Sequence, residues 1–234
     1  AVRSLAVFVR LLAVLLVAGI ATSLTVAAIT PTARDLLRAN DVGTSKVKVD
    51  ELANNSFVFA ADGTYVGTLH GPQNRELIKL ADISPKTVDA ILAVEDADFY
   101  THSGVNARSI IRALISNVNA GGVTQGGSTI TQQLVKLTML DSRQEVKRKV
   151  REALIARRIE KKFTKDQILE QYLNTIYFGE GAYGVQAAAE QYFGKSVEDL
   201  DVIDSAFLAG MIRNPVGYDP VRFRDRSRER RTTV

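Results

Sequence analysis

Residues 11–29 include no charged side chain, and residues 5–9 extend this apolar run once Arg10 is allowed. About 19 apolar positions in succession suffice to span a bilayer. Arg3 and Arg10 precede the run, and Arg34 and Arg38 follow it, so flanking charge specifies orientation only weakly. Residues 1–30 are expected to form a retained transmembrane signal anchor. A cleaved leader is the alternative, although its apolar core would be long and no clean small-x-small site precedes a mature start. Residues 31–55 are mostly polar and lack a strong period, which predicts a juxtamembrane linker with one helical turn around residues 33–38.

Next, Phe57-Val58-Phe59 and Tyr65-Val66-Gly67-Thr68-Leu69 flank Asp62-Gly63, the pattern of a short hairpin and the only strand pair predicted. From Ser84 onward the period is helical. Ser84-Pro85 is a cap followed by proline at the first helical position, and Val88, Ile91, Leu92 and Glu95 continue at i, i+3, i+4 and i+7. A second helix is predicted over 106–119, with Ile110, Ile111, Leu114, Ile115 and Val118 inward and Gly121-Gly122 ending it. A third follows Gly126-Gly127-Ser128, with Ile130, Leu134 and Leu137 on one flank. The capping boxes Ser142-x-x-Glu145 and Thr164-x-x-Gln167 open two more, the first turning Val146, Val150 and Leu154 to the core and the second Ile168, Leu169, Tyr172 and Leu173. Residues 179–184 read as a loop, 185–192 as an alanine-rich, closely packed helix, and 202–212 as a last helix before a turn-rich segment.

The third helix also carries candidate chemistry. Ser128 is a suitable N-cap, two glycines precede it, and a helix N-terminus attracts anions. Thr129, Gln132, Gln133 and Lys136 then fall along one flank, which suits a phosphate or pyrophosphate. On local geometry alone, a capped surface helix fits equally well. The chain carries 30 Lys and Arg against 26 Asp and Glu, a net charge of +4, with basic residues gathered over 136–165 and 222–231. Such clusters suit a membrane surface, a phosphorylated substrate or nucleic acid, and an anchor makes nucleic acid the poorest of these. The absence of cysteine fits an exported domain without disulfides.

Two carboxylates stand out. Glu95 continues an apolar helix face, so desolvation is expected to raise its pKa toward the range of a general base. An acidic, solvated helix end is the plainer alternative. Glu152 lies among Arg148, Lys149, Arg151 and Arg157, a pattern that also describes an ordinary salt-bridged face. His102 is expected to close a loop through hydrogen bonds rather than to catalyse. With only two histidines no zinc spacing exists, although Glu95, Asp96 and Asp98 could hold a divalent cation such as Mg or Mn. No base accompanies Ser128 in a nucleophile's arrangement.

Five ordered stretches carry a resemblance: Glu95-Asp96-Ala97-Asp98-Phe99-Tyr100-Thr101-His102-Ser103-Gly104; Gly126-Gly127-Ser128-Thr129-Ile130-Thr131-Gln132-Gln133-Leu134-Val135-Lys136; Arg148-Lys149-Val150-Arg151-Glu152; Lys165-Asp166-Gln167-Ile168-Leu169-Glu170-Gln171-Tyr172-Leu173-Asn174; and Arg213-Asn214-Pro215 through Tyr218-Asp219-Pro220. In these the chain resembles the peptidoglycan glycosyltransferase domain of class A penicillin-binding proteins. The resemblance implies a mainly α fold, a lysozyme-like helical lobe with a smaller membrane-apposed jaw, over residues 56–234. It implies Glu95 as the base that activates an acceptor hydroxyl and Glu152 as the group that assists loss of pyrophosphate. Asp96, Phe99, His102, Ser128, Thr129, Gln132, Gln133, Lys136 and Arg148 become candidate substrate contacts. The implied partners are lipid II and the growing glycan strand, the bilayer and other cell-wall synthesis proteins, at the extracytoplasmic face of a bacterial membrane, with no obligatory cofactor. The transpeptidase half of a class A protein is absent from these residues, so either it was removed or the protein is monofunctional, and the arginine-rich end favours removal. The rivals are a lysozyme-like hydrolase or lytic transglycosylase acting on finished glycan, and a non-catalytic anchored scaffold.

Overall fold

The computed structural model describes residue 52 and residues 54–119, 126–139 and 145–234, which fall within one compact unit, Val49–Val234. The predicted anchor, most of the linker, the Gly121-Gly122 stop and the Ser142 box lie outside the described residues. Among the described residues no helix is long and apolar enough to cross a membrane.

The predicted hairpin is present as antiparallel β1 (Ser56–Phe59) and β2 (Tyr65–Leu69). Its turn is closed by Ala60 N–H on the Thr64 carbonyl and Gly63 N–H on Ala60, and Gly63 supplies the positive φ the turn requires. A second sheet escaped the pattern because its strands are too short to show a period of two. Here β3 (Asn74–Arg75) runs parallel to β5 (Ala182–Tyr183), and β5 is antiparallel to β4 (Tyr177–Gly179). The expected loop at 179–184 is therefore a tight strand-to-strand turn.

The helices are α1 (Pro85–Glu95), α2 (Ala107–Asn119), α3 (Ile130–Met139), α4 (Glu145–Lys162), α5 (Lys165–Thr175), α6 (Val185–Phe193), α7 (Val202–Met211) and α8 (Arg224–Thr233). Proline does occupy the first turn of α1, but the Ser84 hydroxyl donates to the Leu200 carbonyl instead of capping. Helix α1 packs on α7, where the buried Thr87 and Ser205 hydroxyls meet at 2.9 Å. Helix α3 packs against both α4 and α5. The capping box of α5 forms as predicted, with Thr164 accepting from Gln167 N–H and the Gln167 side chain accepting from Thr164 N–H. Its Ile168, Leu169, Tyr172 and Leu173 are buried, and Asn174 fastens residue 78 by accepting from Ile78 N–H and donating to Ile78 O.

Three expectations are corrected. Ile110, Ile111 and Ile115 of α2 do not face the core: they are 44%, 58% and 56% exposed, and the buried side is marked by Ala113. Leu137 and Leu154 are likewise exposed, because α3 buries Ile130, Thr131, Leu134 and Val135, and α4 buries Glu152, Ala156 and Ile159. Finally, residues 202–212 are not the last helix. Helix α8 follows, without an apolar stripe, and packs against α7, where Arg230 Nε donates to Gly210 O at 3.4 Å. Gly210 makes room for it: a Cβ there would meet Arg230 Cγ at 3.2 Å.

Candidate active site

Helix α3 and the residues before it join two carboxylate clusters. The first centres on Glu95, the last residue of α1, which is part-buried. Its Oε2 accepts from Gln133 Nε2 at 2.8 Å, and Gln133 Oε1 accepts from the wholly buried Tyr172 hydroxyl at 3.1 Å. Burial raises the Glu95 carboxyl above the ordinary glutamate range. The Gln133 hydrogen bond and the charges of Arg230 and Arg213 oppose that rise, and the neighbouring Asp96 adds to it. The sequence expectation for Glu95 thus rests on the right cause, desolvation.

The second cluster centres on Glu152, 1% exposed in α4. Arg148 Nη1 reaches Oε1 at 2.5 Å and Lys149 Nζ reaches Oε2 at 2.9 Å, spacings of i,i+4 and i,i+3 on one helix. Lys149 also donates to the Ser128 hydroxyl at 2.5 Å, which ties this cluster to the segment leading into α3. Arg148 Nε is buried with no hydrogen-bond partner among the described residues. Lys136 is exposed one turn beyond Gln133. Lys149 was legible in the sequence only as one of several basic neighbours of Glu152, because its link to Ser128 is a tertiary contact.

Several candidate substrate contacts are otherwise engaged. Ser128 is not the N-cap of α3. Thr129 is, its carbonyl receiving Gln133 N–H and its hydroxyl receiving Gln132 N–H at 3.2 Å. Gln132 completes the box by accepting from Thr129 N–H at 3.0 Å, so this buried side chain turns back onto the helix start. The Thr129 hydroxyl donates to Gly104 O at 2.8 Å. The anion at this helix N-terminus is Asp96, 6% exposed, whose Oδ2 accepts from Ile130 N–H at 3.0 Å and from His102 Nε2 at 2.8 Å. The expected phosphate position at the helix start is therefore filled by the protein's own carboxylate. His102 accepts from Gly104 N–H through Nδ1 and closes its loop as anticipated. Phe99 is wholly buried under Lys165, whose Nζ lies 4.3 Å from the ring centroid, so its ring packs in the core.

Gly104 fixes this loop against α4. Its φ is +84°, and a Cβ would lie 2.8 Å from the Ala156 carbonyl carbon. Asp98 accepts from Asn106 Nδ2 at 3.0 Å. With Asp96 and Asp98 so occupied, the acids at 95–98 do not converge, and among the described residues no group of three or more His, Asp or Glu side chains could hold a metal ion.

A desolvated carboxyl held by Gln133 and a carboxylate between two cations, one of them tied to Ser128, can remove a proton at one point and neutralise an anionic leaving group at another. The transglycosylase family profile matches residues 62–234. The chain belongs to the transglycosylase family. Among curated relatives of this transglycosylase chain, penicillin-binding protein 1F of Bacillus subtilis is 42% identical over 180 residues, covering 77% of the chain and 25% of that protein. Penicillin-binding protein 1A of Haemophilus influenzae is 44% identical over 184 residues, covering 79% and 22%. A crystal structure of penicillin-binding protein 1A from Haemophilus influenzae aligns at 27% identity with a TM-score of 0.42, over 80% of this chain and 18% of that one. The transglycosylase chain thus spans about a quarter of the length of these relatives.

Proposed function

We propose that this transglycosylase chain polymerises lipid II into β-1,4-linked glycan at the extracytoplasmic face of a bacterial membrane. The observation that carries this reading is that the 128–133 segment touches both carboxylate clusters, through Ser128 to Lys149 and through Gln133 to Glu95. Glu95, ionised, takes the proton of the acceptor's 4-hydroxyl as that oxygen attacks the donor's anomeric carbon. The bond to the pyrophosphate breaks on the opposite face, so the anomeric centre inverts and no covalent enzyme intermediate forms. Lys136, Lys149 and Arg148 carry the leaving group's charge, and the unpartnered Arg148 Nε is a donor suited to a phosphate oxygen. Glu152 holds the Arg148 and Lys149 cations in place and assists departure of undecaprenyl pyrophosphate.

The exposed Ile110, Ile111 and Ile115 beside Arg108 and Arg112 suit contact with an anionic bilayer, where the substrate's lipid tail stays. The residues 1–30 serve as the anchor, residues 31–55 as the linker, and cell-wall synthesis proteins as partners.

The test is fluorescent lipid II in detergent, resolved by gel, beside isolated sacculi treated with the same protein. Polymer without sacculus cleavage supports the proposal. Soluble fragments from sacculi and no polymer favour a hydrolase or lytic enzyme, and binding of lipid II without either product favours a scaffold.

A further inference from the structure

We infer that Tyr172 is a positioning residue that sets the protonation of Glu95 by holding the Gln133 amide in one orientation. The inference rests on the assignment of Glu95 as the acceptor-activating base. An amide has a donor end and an acceptor end, and the two orientations of Gln133 present opposite faces to Glu95. As found, the Tyr172 hydroxyl donates to Oε1, which leaves Nε2 to donate to Glu95 Oε2. That arrangement favours the ionised carboxylate, the form that accepts a proton. Reversed, Oε1 would face Oε2 and only a protonated Glu95 could meet it.

Tyr172 is suited to the task because it is wholly buried in α5 and its rotamer is fixed by packing. Burial, with the charges of Glu95 and Asp96 adding to it, raises its phenol well above the ordinary range, so the hydroxyl keeps the proton it donates. The other groups acting on Glu95 are Asp96 beside it, Arg213 after α7 and Arg230 of α8. The orientation of the Gln133 amide is assigned to Tyr172 because its hydroxyl donates directly to Oε1 at 3.1 Å.

The test is Tyr172→Phe, which removes one oxygen and keeps the ring. The pH profile of kcat/KM for lipid II and the carbon-13 titration of the Glu95 carboxyl are measured in the intact chain. The acidic limb and the carboxyl titration should both move to higher pH by roughly half to one unit, the scale of one net hydrogen bond, with most activity recovered on the alkaline side. Combining Tyr172→Phe with Gln133→Leu should shift them no further than Gln133→Leu alone. A stronger donor, 3-fluorotyrosine at position 172, should move both the opposite way, which also covers the case of a poorly folded Phe variant. A uniform loss of rate at every pH with the Glu95 titration unmoved overturns the inference and leaves Tyr172 a packing residue. Failure of the wild-type chain to use lipid II would instead overturn the proposed function, and the carboxyl titration would still decide the role of Tyr172.

Discussion

Asp96→Ala separates a structural carboxylate from a substrate contact. In the folded chain Asp96 Oδ2 accepts from Ile130 N–H, the first amide of α3, and from His102 Nε2, in surroundings where Asp96 is 6% and Ile130 0% exposed. Alanine leaves both donors without their acceptor and removes the negative charge at the helix N-terminus. A buried donor left unpaired costs about 1–3 kcal/mol, and the helix-terminal charge adds about 0.5 kcal/mol, so the loss should be roughly 3 kcal/mol or more. For a folded unit of this size, each kcal/mol lowers the melting temperature by about 2–4 °C, which places the variant roughly 6–12 °C below wild type. Asp96→Asn, which keeps an acceptor oxygen, should lose less than half of that. The assay is thermal unfolding by circular dichroism, with lipid II binding measured well below the transition. A melting temperature within about 1 °C of wild type, together with lost lipid II binding, would refute the reasoning and return Asp96 to the substrate.

Glu152→Gln should cut turnover at least about 100-fold while donor affinity is unchanged or tighter, because Arg148 and Lys149 remain to meet the pyrophosphate; equal losses in binding and turnover would contradict that division. Gly104→Ala places a methyl against the α4 backbone at a φ of +84° and should destabilise by about 2–4 kcal/mol in urea unfolding, against a null result if the loop simply shifts aside. Glu95 makes stability pH-dependent with a definite sign. Its folded pKa is raised, so its contribution is fully present below the unfolded value near 4.5 and is lost as pH rises through the folded value. Glu95→Gln should therefore gain on wild type in unfolding free energy as pH rises from about 4, and a pH-independent difference would count against a desolvated carboxyl.

Features encoded within one helix turn were readable from the sequence. The Thr164 box depends on residues three apart, proline at the start of α1 on a single position, and the expectation for Glu95 on an apolar face spaced i, i+3, i+4 and i+7. Features decided across the fold were not. Ser128 and Thr129 are both good caps, and what selects Thr129 is the Gly104 carbonyl, the returning Gln132 side chain and the Asp96 carboxylate, none of which a local pattern reveals. Helix α2 shows an apolar stripe that periodicity assigns inward, yet Ile110, Ile111 and Ile115 face out; a pattern tells that a face is apolar, not what covers it. Helix α8 inverts the problem, since its contact side, with buried Ser227 and the Arg230 stem beside Gly210, counts as polar in any period. The first motif mixes roles within five residues: Glu95 faces the candidate site, Asp96 accepts from the first amide of α3, and Phe99 sits in the core.

In the proposed reaction Glu95 is the base of a glycosyl transfer from lipid II. The most direct measurement is single-turnover polymerisation of lipid II by the chain and by Glu95→Gln, at matched lipid II occupancy and resolved by gel. Long glycan is expected from wild type and a rate lower by about 10²–10⁴-fold in the variant, the usual contribution of a general base, with lipid II still bound. Glycan formed by Glu95→Gln at the wild-type rate would contradict that role.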